Sequence, residues 1–133
     1  NPPDPKLKRV LIRNIALIAR ALHQNGVNHR DFYLCHFLLE EQWLKQGAYN
    51  VAPPLHLIDL HRTQVRARTP QRWVIKDLAG LYFSSMDAGL TQRDLLRFLR
   101  FYTAQPLSQV LHSQNSFWKS VQSRAKQLYL KHS

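Results

Sequence analysis

A helical periodicity that stops at Asn25-Gly26, followed by two apolar runs too short for helices, each with an aspartate beside it, restricts this chain more than any other feature. Leu7, Val10, Leu11, Ile15, Ile18, Ala19 and Leu22 recur at helical spacing, the stripe of a long amphipathic helix. Asn25-Gly26 ends it, because glycine takes the left-handed turn that closes a helix at little cost. Val27-Asn28 leads into a polar loop from His29 to His36, and Phe37-Leu38-Leu39 reads as a short buried strand. Val51 to Pro54 reads as a turn, and Leu55-His56-Leu57-Ile58 as a second strand ending at Asp59. The order is strand, acid-bearing loop, strand, turn, strand, acid.

That order is what phosphoryl transfer on a kinase-type fold requires. One acid, here Asp31 in His29-Arg30-Asp31, orients the attacking hydroxyl and accepts its proton. The polar residue five positions later, His36, reaches a metal, and the second acid, Asp59, binds the Mg²⁺ that bridges the nucleotide phosphates. Two departures from the protein-kinase pattern stand out. His36 replaces an asparagine, and an imidazole is a softer partner for Mg²⁺ than an amide oxygen. Asp59 is followed by Leu60-His61 where that pattern has Phe-Gly, which argues against regulation by a flipping segment.

Four blocks carry a resemblance to a known family: residues 29–39, from His29-Arg30-Asp31 to Phe37-Leu38-Leu39; Leu57-Ile58-Asp59-Leu60-His61-Arg62; Lys76-Asp77-Leu78-Ala79-Gly80-Leu81-Tyr82-Phe83-Ser84-Ser85; and residues 90–100, from Leu90-Thr91-Gln92-Arg93-Asp94 onward. Together they resemble the lipopolysaccharide core heptose kinases of the Kdo/WaaP group, an atypical branch of the protein-kinase-like fold. The resemblance implies transfer of the γ-phosphate of ATP to the inner-core heptose, heptose I, while the core is assembled on lipid A. It also implies a Gram-negative cytoplasm, at the inner face of the inner membrane. Carried over, Asp31 is the catalytic base, Asp59 the Mg²⁺ ligand, and His36 the residue at the second metal position.

The fold class expected is mainly α with a few short strands, the C-terminal lobe of a protein-kinase-like fold occupying residues 1–133. No glycine-rich loop and no Val-Ala-Ile-Lys strand precede the acid loop, and Gly26, Gly47, Gly80 and Gly89 are too scattered to form such a loop. The N-terminal lobe that clamps the nucleotide is therefore expected to be missing, and the start at Asn1-Pro2-Pro3 without methionine favours a fragment, expected to be inactive alone. At 133 residues the chain suits one core. Cys35, the single cysteine, excludes an internal disulfide and reads as a small hydrophobe in a reducing compartment.

Charge supplies the remaining constraint. Nineteen Lys and Arg against eight Asp and Glu give +11, and the span from Asp59 to Asp77 holds Arg62, Arg66, Arg68, Arg72 and Lys76 with no acid. Such a field draws polyanions. Under the kinase reading these are ATP, the phosphorylated lipid A and core acceptor, the anionic membrane surface, and an acidic protein partner. Arg62, Arg66 and Arg68 follow the metal-binding acid and are assigned to the acceptor phosphates. His56 and His61 lack zinc-site companions, and His29 is assigned to bracing the loop.

Further helices are expected around Trp73 to Tyr82, from Thr91 as a capped start with Asp94 in the first turn, and from Phe117 to Leu130. Competing readings are a basic polyanion-binding module, a pseudokinase, and a kinase-like phosphotransferase acting on another small acceptor. Nucleic acid is not an expected partner, because no recognised nucleic-acid motif is present and the aromatics fit apolar helical faces.

Overall fold

The first helix shows how the sequence builds the scaffold. Residues Pro5–Gln24 form α1, turning Ile15, Ala16, Ala19 and His23 inward. Among the described residues of this computed structural model (5–39, 55–58, 60–109 and 115–132), three further α-helices follow: α2 (Gln71–Ser85), α3 (Gln92–Thr103) and α4 (Asn115–His132). The expected turn at 51–54, the environment of the Cys35 side chain and Asp59 itself lie outside the described residues.

The helices pack as two pairs, α1 with α3 and α2 with α4. Alanines at fully buried points, Ala16 and Ala19 on α1, Ala79 on α2 and Ala125 on α4, keep the helix surfaces low where neighbours approach. Ile15, Phe32, Leu78, Leu81, Trp118 and Val121 fill the core between them. Each such side chain contributes about 1.5–3 kcal/mol when fully buried.

Thr91 starts α3 as the sequence indicates. Its hydroxyl accepts from the Asp94 amide at 3.2 Å, while the Asp94 carboxylate accepts from the Thr91 amide at 2.9 Å, a reciprocal capping box. Asp94 also receives Lys8 Nζ of α1 at 2.7 Å and Arg97 at 3.2 Å, so one buried carboxylate both begins α3 and ties it to α1. Burial alone would raise this carboxyl, but the bonds from Lys8 and Thr91 outweigh it and hold it below the usual range.

Two short antiparallel ribbons accompany the helices. Strands β1 (Val27–Asn28) and β4 (Gln64–Val65) pair with Val27 opposite Val65, and β2 (Phe37–Leu39) and β3 (Leu55–Leu57) pair with Phe37 opposite Leu57. Gly26, at φ +78°, makes the turn from α1 into β1, and its carbonyl accepts from the Arg66 amide at 2.8 Å. A Cβ there would overlap the Arg66 carbonyl. Gly26→Ala combines a left-handed backbone with that overlap and is expected to cost about 2–4 kcal/mol. A thermal melt checks it, and an unchanged Tm would show that the two backbones part without penalty.

Candidate active site

Asp31 lies in the loop between β1 and β2, and the loop's shape comes from a carboxylate on another element. Asp77, in the middle of α2 and 1% exposed, accepts the His29 amide on Oδ2 at 2.8 Å and the Arg30 amide on Oδ1 at 2.9 Å. His23 Nε2, from the last turn of α1, donates to the same Oδ2 at 2.9 Å. Tyr102 of α3 donates its hydroxyl to His23 Nδ1 at 2.7 Å. Burial, then the Asp77 charge, raises that phenol well above its ordinary range, so it stays a donor. Three helices thus meet at one carboxylate that grips the loop by its backbone.

Held this way, Arg30 adopts φ +74°, a left-handed conformation that costs a non-glycine residue about 1–2 kcal/mol. Strain of this kind concentrates at functional sites, where surrounding structure over-determines it. Behind the loop, Gly80 lets α2 approach the Phe32 carbonyl and the Tyr33 ring, where a Cβ would be crowded. Phe32 fills the space beneath, 1% exposed and edge-on to Phe37 at 5.3 Å between centroids.

The Asp31 side chain divides its two oxygens. Oδ1 accepts from Arg62 Nη1 at 2.8 Å. Oδ2 is buried and has no hydrogen-bond partner among the described residues. One oxygen is therefore fixed in place, and the other has its lone pairs available to a hydroxyl proton. The Asp31 carbonyl accepts from His36 Nδ1 at 2.7 Å and from the Tyr33 amide at 2.9 Å, so His36 closes the loop on itself.

His29 joins Ile58, which follows β3, to this loop. Its ring is 1% exposed, Nε2 donates to the Ile58 carbonyl at 2.9 Å, and Nδ1 accepts the Asp31 amide at 3.2 Å. The Ile58 amide in turn donates to the His36 carbonyl at 2.9 Å. Ile58, the residue before Asp59, is thus pinned at both its amide and its carbonyl to the loop that carries Asp31.

The three arginines assigned to phosphates take different places. Arg62 is on the Asp31 carboxylate. Arg66 is anchored at the end of the β1/β4 ribbon, bonded to Gln64 at 3.0 Å and Asn28 at 3.3 Å. Arg68 is exposed, and no ion pair joins it to this site among the described residues. No group of three or more His, Cys, Asp or Glu suited to a metal occurs among the described residues, which exclude Asp59. Toward a metal the described residues supply the His36 imidazole, a softer partner for Mg²⁺ than an oxygen ligand; Asp59, the residue assigned to the metal, lies outside them.

Sequence reasoning included Asp77 in the resemblance as a local cap or pair without a chemical role, and missed what Tyr102 and His23 do. The available signal was an aspartate inside the apolar run of α2, since a carboxylate in that position must be buried and hydrogen-bonded. Trp73, expected on an apolar helical face, is half-buried at the edge of the site beneath basic side chains.

Comparison with known proteins places the chain in a family. The model of the lipopolysaccharide kinase (Kdo/WaaP) family matches residues 1–102. The chain is 46% identical over 125 residues to a lipopolysaccharide core heptose(I) kinase WaaP of Escherichia coli, covering 94% of this chain and 46% of that protein. It is 46% identical over 129 residues to the WaaP of Pseudomonas aeruginosa, covering 96% and 47%. A solved structure of WaaP in complex with acyl carrier protein superposes with a TM-score of 0.85 at 47% identity, covering 96% of this chain and 52% of that one. The chain spans about half the length of the relatives it matches.

Proposed function

Because the chain belongs to the lipopolysaccharide kinase (Kdo/WaaP) family and has the mainly helical architecture of a kinase-like C-terminal lobe, we propose that it carries the catalytic lobe of an ATP-dependent kinase acting on the inner-core heptose of lipopolysaccharide. The observation that carries this reading is the divided Asp31 carboxylate, with one oxygen held by Arg62 and the other buried and available.

In the proposed reaction the heptose hydroxyl donates its hydrogen bond to Asp31 Oδ2. As the sugar oxygen forms its bond to the γ-phosphorus and the bond to the bridging oxygen of ADP breaks, the hydroxyl proton passes to Oδ2. Arg62 keeps the carboxylate aimed. Asp59 is assigned to Mg²⁺, with His36 in support, and the metal when bound neutralises charge on the nucleotide phosphates. Positioning by the Asp77-anchored loop and electrostatic stabilisation supply most of the acceleration, because phosphoryl transfer leaves the protein little covalent work.

The lobe that clamps ATP is assigned to the other half of the relatives' length. The site is placed at the inner face of the inner membrane, where the lipid-linked acceptor is built; no helix among the described residues is long and apolar enough to cross a membrane. The relative solved with acyl carrier protein suggests an acidic protein partner for this chain also, and the absence of any acid after Asp94 suits one. The test supplies the complete protein with ATP labelled at the γ-phosphate and a heptose-bearing core acceptor on lipid A. Label is expected as a phosphate ester on the heptose. Label recovered only as ATP or free phosphate would overturn the proposal.

A further inference from the structure

Four cations gather around one indole beside the proposed base. The Arg30, Arg66 and Arg72 guanidinium carbons lie 5.7, 5.6 and 5.4 Å from the Trp73 ring centroid, and Lys76 Nζ lies 5.4 Å from it. A ring's quadrupole attracts a cation over its face, but four like charges around one ring also repel one another. Among the described residues no ion pair joins any of the four to a carboxylate.

Independent features repeat the same deficit of negative charge. The Arg30 Nε and Trp73 Nε1 donors are buried with no acceptor among the described residues. Helix α2 begins at this spot with no side-chain cap from Pro70 and no acid in its first turn, leaving the positive end of the dipole uncompensated. The Lys76 ammonium is lowered from its usual value by burial and then by Arg30, Arg62 and Arg124, with Asp31 opposing the shift. Arg30 adjoins Asp31 in the chain, and the Asp31 charge reaches the Lys76 ammonium, so the cluster flanks the place where an acceptor hydroxyl is activated.

We infer that the Trp73 cluster, formed by Arg30, Arg66, Arg72 and Lys76, is a subsite for an oxyanion carried by the acceptor next to the hydroxyl that Asp31 activates. This inference rests on the kinase reading and adds that the enzyme selects an acceptor by its negative charge. A carboxylate or phosphate on the flanking sugars has the required chemistry, because guanidinium groups take either in forked hydrogen bonds. Trp73 holds the cations apart in a fixed array, and its Nε1 donates to the same anion.

The experiment uses the complete protein with Lys76→Met and Arg72→Met, residues that do not touch Asp31. Each is expected to raise KM for the intact core acceptor about 10-fold, the usual loss for a charge-assisted contact, with kcat and KM for ATP nearly unchanged. Lys76→Arg is expected to restore most of the loss, and an unaltered Tm separates this from damage to the fold. Two altered acceptors, one with its phosphates removed and one with its carboxyls reduced, identify the anion. On the acceptor lacking the recognised group, wild-type KM rises to that of the variants, and the substitutions cause no further loss. A change in KM for ATP instead, or a penalty undiminished on both altered acceptors, would overturn the subsite. Absence of transfer by the wild-type protein to any acceptor would sink the kinase reading and the subsite with it.

Discussion

Replacing Asp31 with alanine in the complete protein is expected to lower kcat roughly 10²–10⁴-fold, the usual loss of a general base. Oδ2, buried and without a partner among the described residues, is the atom that takes the hydroxyl proton. The fold should be indifferent to the change. Asp31 contributes to it chiefly one ion pair with the exposed Arg62 side chain, and pairs of that kind stabilise a protein by about 1 kcal/mol at most. Asp31→Asn sharpens the result, because its amide can keep the Arg62 contact through oxygen while lacking a basic atom. Steady-state kinetics with a parallel thermal melt checks both halves. Wild-type kcat in either variant would remove Asp31 from the chemistry.

Asp77→Ala should do the opposite, destabilising first and inactivating as a consequence. The truncation strands the amides of His29 and Arg30 and the His23 Nε2 donor in a site that is 1% exposed. Breaking a buried charged network by deleting one partner costs about 3–5 kcal/mol, a large part of the roughly 5–15 kcal/mol that keeps a domain folded. Loss of the anchor also frees Arg30 from its left-handed conformation, so the loop relaxes and Asp31 loses its aim. A large fall in Tm, with faster hydrogen exchange at residues 29–31, is the expected result. An unchanged Tm would show that the loop is held by something other than this carboxylate.

The contrast between those residues explains what was legible in the sequence. Asp31 sits in a motif whose spacing is local, so it is found by reading along the chain. The same holds for α1, whose apolar stripe and Asn25-Gly26 stop are adjacent signals, and for α3, whose Thr91–Asp94 capping box occupies one turn. Strands β2 and β3 were legible as apolar runs. Asp77 acts on backbone amides 47 and 48 residues away, and such partners leave no side-chain pattern to read. The β1/β4 ribbon pairs only two residues from each strand, too few for a periodicity of two to register. Arg62 was read as a phosphate contact by position alone. Its bond to Asp31 depends on how the chain returns after β3, which composition does not encode.

Trp73 shows a related difficulty. Helical spacing places it with Val74 and Leu78 among apolar residues, and the sequence has no means of showing that four cations arrive over its ring from two loops and its own helix.

Asp77 grips peptide N–H groups, which every amino acid except proline possesses. Drift in related chains is therefore tightly restricted at position 77 by this anchor, while positions 29 and 30 answer to other demands: an imidazole for the Ile58 carbonyl, and a cation for the Trp73 ring. A homologue that trades Arg30 for another residue can keep its loop intact and change only what it recognises.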